Sequence, residues 1–287
     1  MLKSCLAILL FVACSLTHAA TIDVRLCIKS GSLTLSGGNS VEVVTYSNTN
    51  LFLENSALLV WNLGDVVNLT VVNNDSEDHG FNADGLVSYS TISSGDSSTQ
   101  TINLSNAGVF RYNDNVNSPF NAYLGLSGII HVKDPSDLTP YFYWDIREIH
   151  SDWNPILTNS GIVNITDYDP DFFTVNGNHN PNINLDTIAR VTGNVGVEFK
   201  IVLVNNGLSI HSMHFHGYHL FNIDDSRSPA FIGREKDTFP LYPHEHLVLS
   251  CTPDKPGEYP VHDHNLVAVT GGQEYATGMF LTLLIAP

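Results

Sequence analysis

The chain has 287 residues, long enough for one large domain or two of medium size. Val, Thr, Ile, Tyr and Phe are plentiful, Asn and Gly punctuate them, and no long Ala/Glu/Lys/Leu-rich run occurs, so the composition reads as all-β. Lys and Arg total 12 against 29 Asp and Glu, and the net charge of -17 argues against nucleic acid and anionic membrane surfaces as partners while leaving metal cations open.

Lys3, the apolar run from Leu6 to Ala13 and the small residues Ala19 and Ala20 read as a signal peptide over residues 1–20. The apolar run is too short to cross a bilayer, and no other segment could span one. The expected product is a secreted or periplasmic chain beginning near Thr21. Removal of Cys5 and Cys14 leaves Cys27 and Cys251, either paired in an oxidising compartment or present as two buried thiols. Sequons at Asn68, Asn74, Asn103 and Asn164 would matter only in a eukaryotic source.

Thr21 to Lys29 alternates, with Ile22, Val24, Leu26 and Ile28 on one face, which predicts a half-buried strand. Further strands are expected at Val41–Tyr46, Ala57–Trp61, Val66–Asn73, Thr99–Leu104, Val109–Tyr112 and Gly128–Val132. Turn clusters such as Ser36-Gly37-Gly38-Asn39 separate them, a spacing that suggests a sandwich or Greek-key barrel. Asp134-Pro135-Ser136-Asp137 reads as a linker. The pattern then restarts at Tyr141–Ile149 and continues at Phe172–Val175, Val197–Val204, Leu247–Cys251 and Phe280–Ile285.

The two halves look like copies. Gly64–Asn74 parallels Gly196–Asn206, Gly108–Asn115 parallels Gly257–His264, and Gly125-Leu126 parallels Gly278-Met279. Two domains are therefore expected, 21–137 and 138–287. In this alignment Asn113 and Asn115 stand where the second copy has His262 and His264, and Phe81-Asn82 is laid on Phe215-His216. Asn is a poor transition-metal ligand, so the first domain is ligand-poor, with His79 its nearest remaining histidine.

The second domain gathers imidazoles in two short windows, His211-Ser212-Met213-His214-Phe215-His216-Gly217 and Val261-His262-Asp263-His264. Residues i and i+2 of a strand share a face, so His214/His216 and His262/His264 are same-face pairs that could converge on one metal ion. His244-Glu245-His246 reads instead as a solvated strand edge. Tyr218 and His219 are expected to complete the first of the two His strands.

With Phe173–Gly177, Lys236-Asp237-Thr238, Pro256–Tyr259 and Gly278-Met279 in this order, the chain resembles the multicopper oxidase and copper nitrite reductase families. The resemblance implies two tandem cupredoxin-like Greek-key β-sandwich or barrel domains. It puts His214 at a type 2 copper position, His216, His262 and His264 at type 3 positions, and His211 and Met279 at type 1 positions. The type 1 centre of the family needs a thiolate where this chain has Asp263, and a further histidine that Asn265 to Ala268 does not supply.

The expected site is thus His214, His216, His262 and His264 binding copper, or zinc as the second choice. His211, Asp263, Met279 and His79 would stand behind these ligands or add to them. The expected function is a copper-dependent oxidoreductase with a type 2-like centre and no blue copper, acting on a small substrate or dioxygen. The alternative is a non-enzymatic copper-binding or degenerate cupredoxin interaction protein. By analogy with two-domain relatives the chain would form a homotrimer.

Overall fold

The computed structural model describes residues 19–287. The signal-peptide expectation, with Cys5 and Cys14, falls almost wholly outside those residues. The first half contains β1 (Thr21–Thr34), β2 (Ser40–Ser47), β3 (Leu59–Asn62), β4 (Val66–Asn73), β5 (His79–Ala83), β6 (Val87–Ile92), β7 (Ser97–Asn103), β8 (Gly108–Asn113) and β9 (Ser127–Lys133). They form two sheets, ordered β2-β1-β4-β7 and β3-β9-β8-β5-β6.

The second half begins with β10 (Tyr141–Ile149), β11 (Phe172–Val175), β12 (Thr192–Asn194), β13 (Phe199–Asn205) and β14 (His211–Phe215). It continues with β15 (Leu220–Asp225), β16 (Glu235–Lys236), β17 (Thr238–Leu241), β18 (His246–Cys251) and β19 (Gly257–Asp263), then a short hairpin and a last strand. The hairpin is β20 (Thr270–Gly271) with β21 (Glu274–Tyr275), and the last strand is β22 (Phe280–Ala286). Here the sheets run β11-β10-β13-β18-β15-β16 and β12-β22-β19-β14-β17. β10 pairs with β13 in parallel, as β1 does with β4.

Alternation along each strand decides which side is buried. In β4, Val67, Leu69 and Val71 are wholly buried. Asn68 on the other face donates to Asp23, and Thr70 bonds Thr99. In β22, Leu281, Leu283 and Ile285 enter the core while Leu284 is exposed. Each half has its own core, one around Tyr46, Phe81, Tyr89 and Tyr112, the other around Trp144, Phe199 and Phe215.

A separate apolar cluster joins the halves, with Val109 and Ile129 against Tyr143, Val202, Val204 and Val248. Beside it Arg111 Nε donates to Asn206 Oδ1 at 2.6 Å. Arg147 crosses from β10 to the carbonyls of Ala122 and Ser127. Trp153 is buried against Tyr123 and Tyr168.

Cys27 and Cys251 are both buried free thiols, one in each half. Of the two readings left by the sequence, the thiols hold. Tyr218 and His219 do not extend β14, because the chain turns at Gly217 with φ +82° and β15 starts only at Leu220. A Cβ at Gly217 would meet the Tyr259 ring at 2.3 Å, so glycine is needed for this close approach. No helix among the described residues is long and apolar enough to cross a membrane.

Candidate metal centre

β14 and β19 are antiparallel neighbours, with His214 opposite His262 and Met213 opposite Asp263. The period of two then sorts the side chains of the two His windows. His211, Met213, Phe215, Val261 and Asp263 point into the core and are buried, whereas His214 and His262 face outward and are half-buried. The ladder runs one step past each strand, since His216 N donates to Pro260 O and His264 N to Ser212 O. His216 and His264 are therefore exposed on the same outer face as His214 and His262.

The imidazoles lie close together on that face. Ring centroids are 4.6 Å apart for His214 and His216, 5.6 Å for His214 and His262, and 5.7 Å for His214 and His264. His216 Nε2 and His262 Nε2 approach to 3.0 Å. His214 Nδ1 meets Thr238 Oγ1 at 2.9 Å and the Asp237 carbonyl at 3.3 Å, and His262 Nδ1 meets the Asp263 carbonyl at 2.8 Å. A proton on Nδ1 directed at a carbonyl leaves the Nε2 lone pair free, the tautomer a metal ligand needs.

Burial, then the neighbouring imidazoles of His214 and His262, hold His216 below its ordinary pKa and so favour its neutral form. Among the described residues no group of three or more His, Cys, Asp or Glu side chains is already closed around one metal-sized point. The donor types fit copper or zinc, and the rings are gathered and oriented rather than pre-closed. Beside them an open groove of about 660 Å3 is lined by His214, His216, Tyr218 and His219 and by the acids Glu235, Asp237 and Asp254.

Inside the sheet His211 is clamped at both nitrogens. Nδ1 lies 2.6 Å from Asp263 Oδ2 and Nε2 lies 2.9 Å from Glu148 Oε2, all three residues being buried. Burial opposes protonation of His211, but the hydrogen bonds and charges of Asp263 and Glu148 outweigh it and raise the pKa to about 9. Glu148 also accepts from the backbone N–H groups of Leu208 and Ser209. A Cβ at Gly207 would fall 1.7 Å from Glu148 Oε2, so this loop can close over the carboxylate only with glycine there.

The first half repeats the contact at His79. Its Nδ1 is 2.7 Å from Asp114 Oδ2 and its Nε2 is 2.9 Å from Asp75 Oδ2. With both nitrogens engaged, neither His211 nor His79 has a free lone pair for a metal. Met279 is wholly buried in the core of the second half beside Ala268.

The strand pairing also corrects one alignment. Asn82 lies opposite Asn113 as His214 lies opposite His262, and Gly80 N donates to Asp114 as Ser212 N does to Asp263. Asn82 therefore corresponds to His214, not His216, because register rather than the shared phenylalanine fixes the match. Sequence reasoning missed Glu148 and Asp75. Asp75 could have been read from the acidic run just before His79, but Glu148 is 63 residues from His211 and has no local signature.

Residues 157–284 match the family model described as multicopper oxidase. That match covers 128 of the 287 residues, all in the second half of the chain. Comparison with curated proteins gives no match. The whole chain is similar to a blue copper oxidase from Nitrosomonas europaea, with a TM-score of 0.80 and 20% identity over 92% of this chain and 86% of that one. It is similar to the multicopper oxidase mgLAC, with a TM-score of 0.78 and 21% identity over 93% of this chain and 86% of that one. It is also similar to a copper nitrite reductase from Nitrosomonas europaea, with a TM-score of 0.71 and 15% identity over 93% and 94%. The fold is accordingly all-β with cupredoxin-like domains, and the outward imidazoles all lie within the residues matched by the family model.

Proposed function

We propose that the protein is a secreted copper-binding protein of the multicopper oxidase type, acting as a copper-dependent oxidoreductase at a type 2-like centre without blue copper. One observation carries this reading: four imidazoles share an outer face, with His216 Nε2 and His262 Nε2 3.0 Å apart, while His211 and Asp263 are bound to each other. His214, His216, His262 and His264 would hold the copper, which when bound supplies one-electron redox chemistry at that face.

The protein's own contributions are orientation and access. The carbonyls of Asp237 and Asp263 fix Nδ1 of His214 and His262, and the groove admits a small molecule or dioxygen beside the rings. Leu266, Val267 and Tyr275 are exposed just beyond His264 in sequence, and this supports a homotrimer in which the His face meets a neighbouring chain.

Metal analysis after loading with copper or zinc tests the reading on wild type, His216→Ala and His262→Ala. Copper retained by wild type and lost by both variants supports it. Trace copper in wild type sinks it, and preference for zinc over copper contradicts the redox assignment. Stable copper without turnover of phenols, ferrous iron or nitrite would mark the protein as a non-enzymatic copper binder.

A further inference from the structure

Two of the four outward imidazoles are fixed through their rings, His214 by Thr238 and Asp237 and His262 by the Asp263 carbonyl. His216 is not. It lies one residue past β14 and is exposed, and among the described residues its ring makes one contact within hydrogen-bond distance, to His262 Nε2 at 3.0 Å. Where this ring points is therefore set by its backbone.

That backbone is held by β19. His216 N donates to the Pro260 carbonyl at 3.0 Å. The next residue, Gly217, has φ +82°, and a Cβ there would stand 2.3 Å from Cδ1 and 2.6 Å from Cε1 of Tyr259. Without a side chain, the turn can lie directly against the Tyr259 ring.

The ring is itself held. Tyr259 is partly buried against the core of the second domain, and its hydroxyl donates to the Pro256 carbonyl at 2.9 Å. A Cβ at Gly257, φ +152°, would fall 2.8 Å from that hydroxyl oxygen, so the side chain lies against two glycines. Tyr218 meets the ring edge-on, with centroids 4.7 Å apart, and donates in turn to the Lys255 carbonyl. Residues 255–260 thus clasp 216–218 through one backbone bond, one side-chain bond and two rings.

We infer that Tyr259 is a positioning residue for the copper face: its ring, packed on Gly217, sets the turn that keeps the His216 imidazole against His262. The inference rests on the copper reading of these imidazoles. It adds a residue that acts on the metal through Gly217 and His216 alone. The 3.0 Å between the two Nε2 atoms is a spacing that one ion bound to both can bridge, each bond being about 2.0 Å. A ligand already held at that spacing has little freedom to lose on binding, so loosening the turn weakens the site.

Two measurements separate this role from the copper reading. In metal-free protein, nuclear Overhauser contacts should join the His216 and His262 rings in wild type and in Tyr259→Phe, which keeps the ring. They should vanish in Tyr259→Leu and in Gly217→Ala, which keeps the tyrosine but cannot lie against it. Copper titrated against a competing chelator should follow the same order. Tyr259→Phe should bind within about twofold of wild type, and Tyr259→Leu and Gly217→Ala about tenfold more weakly, a loss typical of groups that orient metal ligands.

Ring contact or copper affinity unchanged in Tyr259→Leu or in Gly217→Ala would overturn the role of Tyr259, as would equal losses in Tyr259→Phe and Tyr259→Leu. Wild type that shows the ring contact but binds no copper would instead overturn the copper reading on which the role depends.

Discussion

His211 Nδ1 and Asp263 Oδ2 lie 2.6 Å apart in the buried interior of the second domain, at the two positions where the family resemblance puts a copper-binding imidazole and a thiolate. The pair is held from both sides. Glu148 takes the other nitrogen of His211, and Asp263 Oδ1 accepts from Ser212 N and Asn265 N. His79 and Asp114 make the equivalent contact in the first domain at 2.7 Å. In both halves an ion-paired histidine occupies the interior, and only the second half carries imidazoles on the outer face above it.

Restoring the thiolate alone should therefore fail to restore a blue centre. In Asp263→Cys, His211 Nε2 remains on Glu148, and residues 265–268 still offer no further imidazole. The expected result is a copper-loaded variant without intense visible absorption. Stability should fall by about 3–5 kcal/mol in chemical denaturation, because a buried charge pair has lost one member. An intense blue band would contradict this account of the pocket.

Stability should depend on pH through the buried histidines. Burial opposes protonation of His79, but the hydrogen bonds and charges of Asp114 and Asp75 outweigh it and raise the pKa from 6.5 to about 9. A raised folded pKa contributes stability that is fully present below the unfolded value of 6.5 and is lost as pH rises through about 9. His211 acts in the same direction over the same window. Thermal midpoints measured across this range should fall, as the unfolding free energy declines by at most about 1.4 kcal/mol per pH unit for each group. His79→Gln should lower the plateau below pH 6.5 and flatten the decline. A midpoint in wild type that rises across the same interval would rule the account out.

Much of this was legible in the sequence. The strand pattern located Tyr141–Ile149 and Phe172–Val175 to the residue, because those strands are bounded by turns and buried along nearly their whole length. The two His-x-His pairs likewise declared a shared face. Less visible were β6, a short strand, and β5, where His79, Gly80 and Asn82 carry little β-propensity. The turn at Gly217 was hidden because one of the two things that require glycine there, the Tyr259 ring, is distant in sequence. Tertiary pairing also decided the fate of His211 and His79, since no local pattern shows that both nitrogens of each are taken by carboxylates.

The joint between the domains makes a further prediction. Arg147 is buried, pairs with Asp145 at 3.1 Å, and donates to the carbonyls of Ala122 and Ser127 across the boundary. Arg147→Ala leaves Asp145 charged in the interior and two carbonyls without their donor. Urea denaturation should show a loss of about 3 kcal/mol. A change below about 0.5 kcal/mol would place this contact among the neutral ones.

The central claim is that the outer imidazoles of the second domain, not the interior pair, hold copper. Electron paramagnetic resonance of copper-loaded wild type beside His262→Ala tests it most directly. The account predicts a type 2 spectrum with nitrogen hyperfine structure in wild type, no intense blue absorption, and loss of that signal in His262→Ala. A spectrum unchanged by His262→Ala, or one with the narrow hyperfine splitting of a thiolate-bound copper, would contradict it.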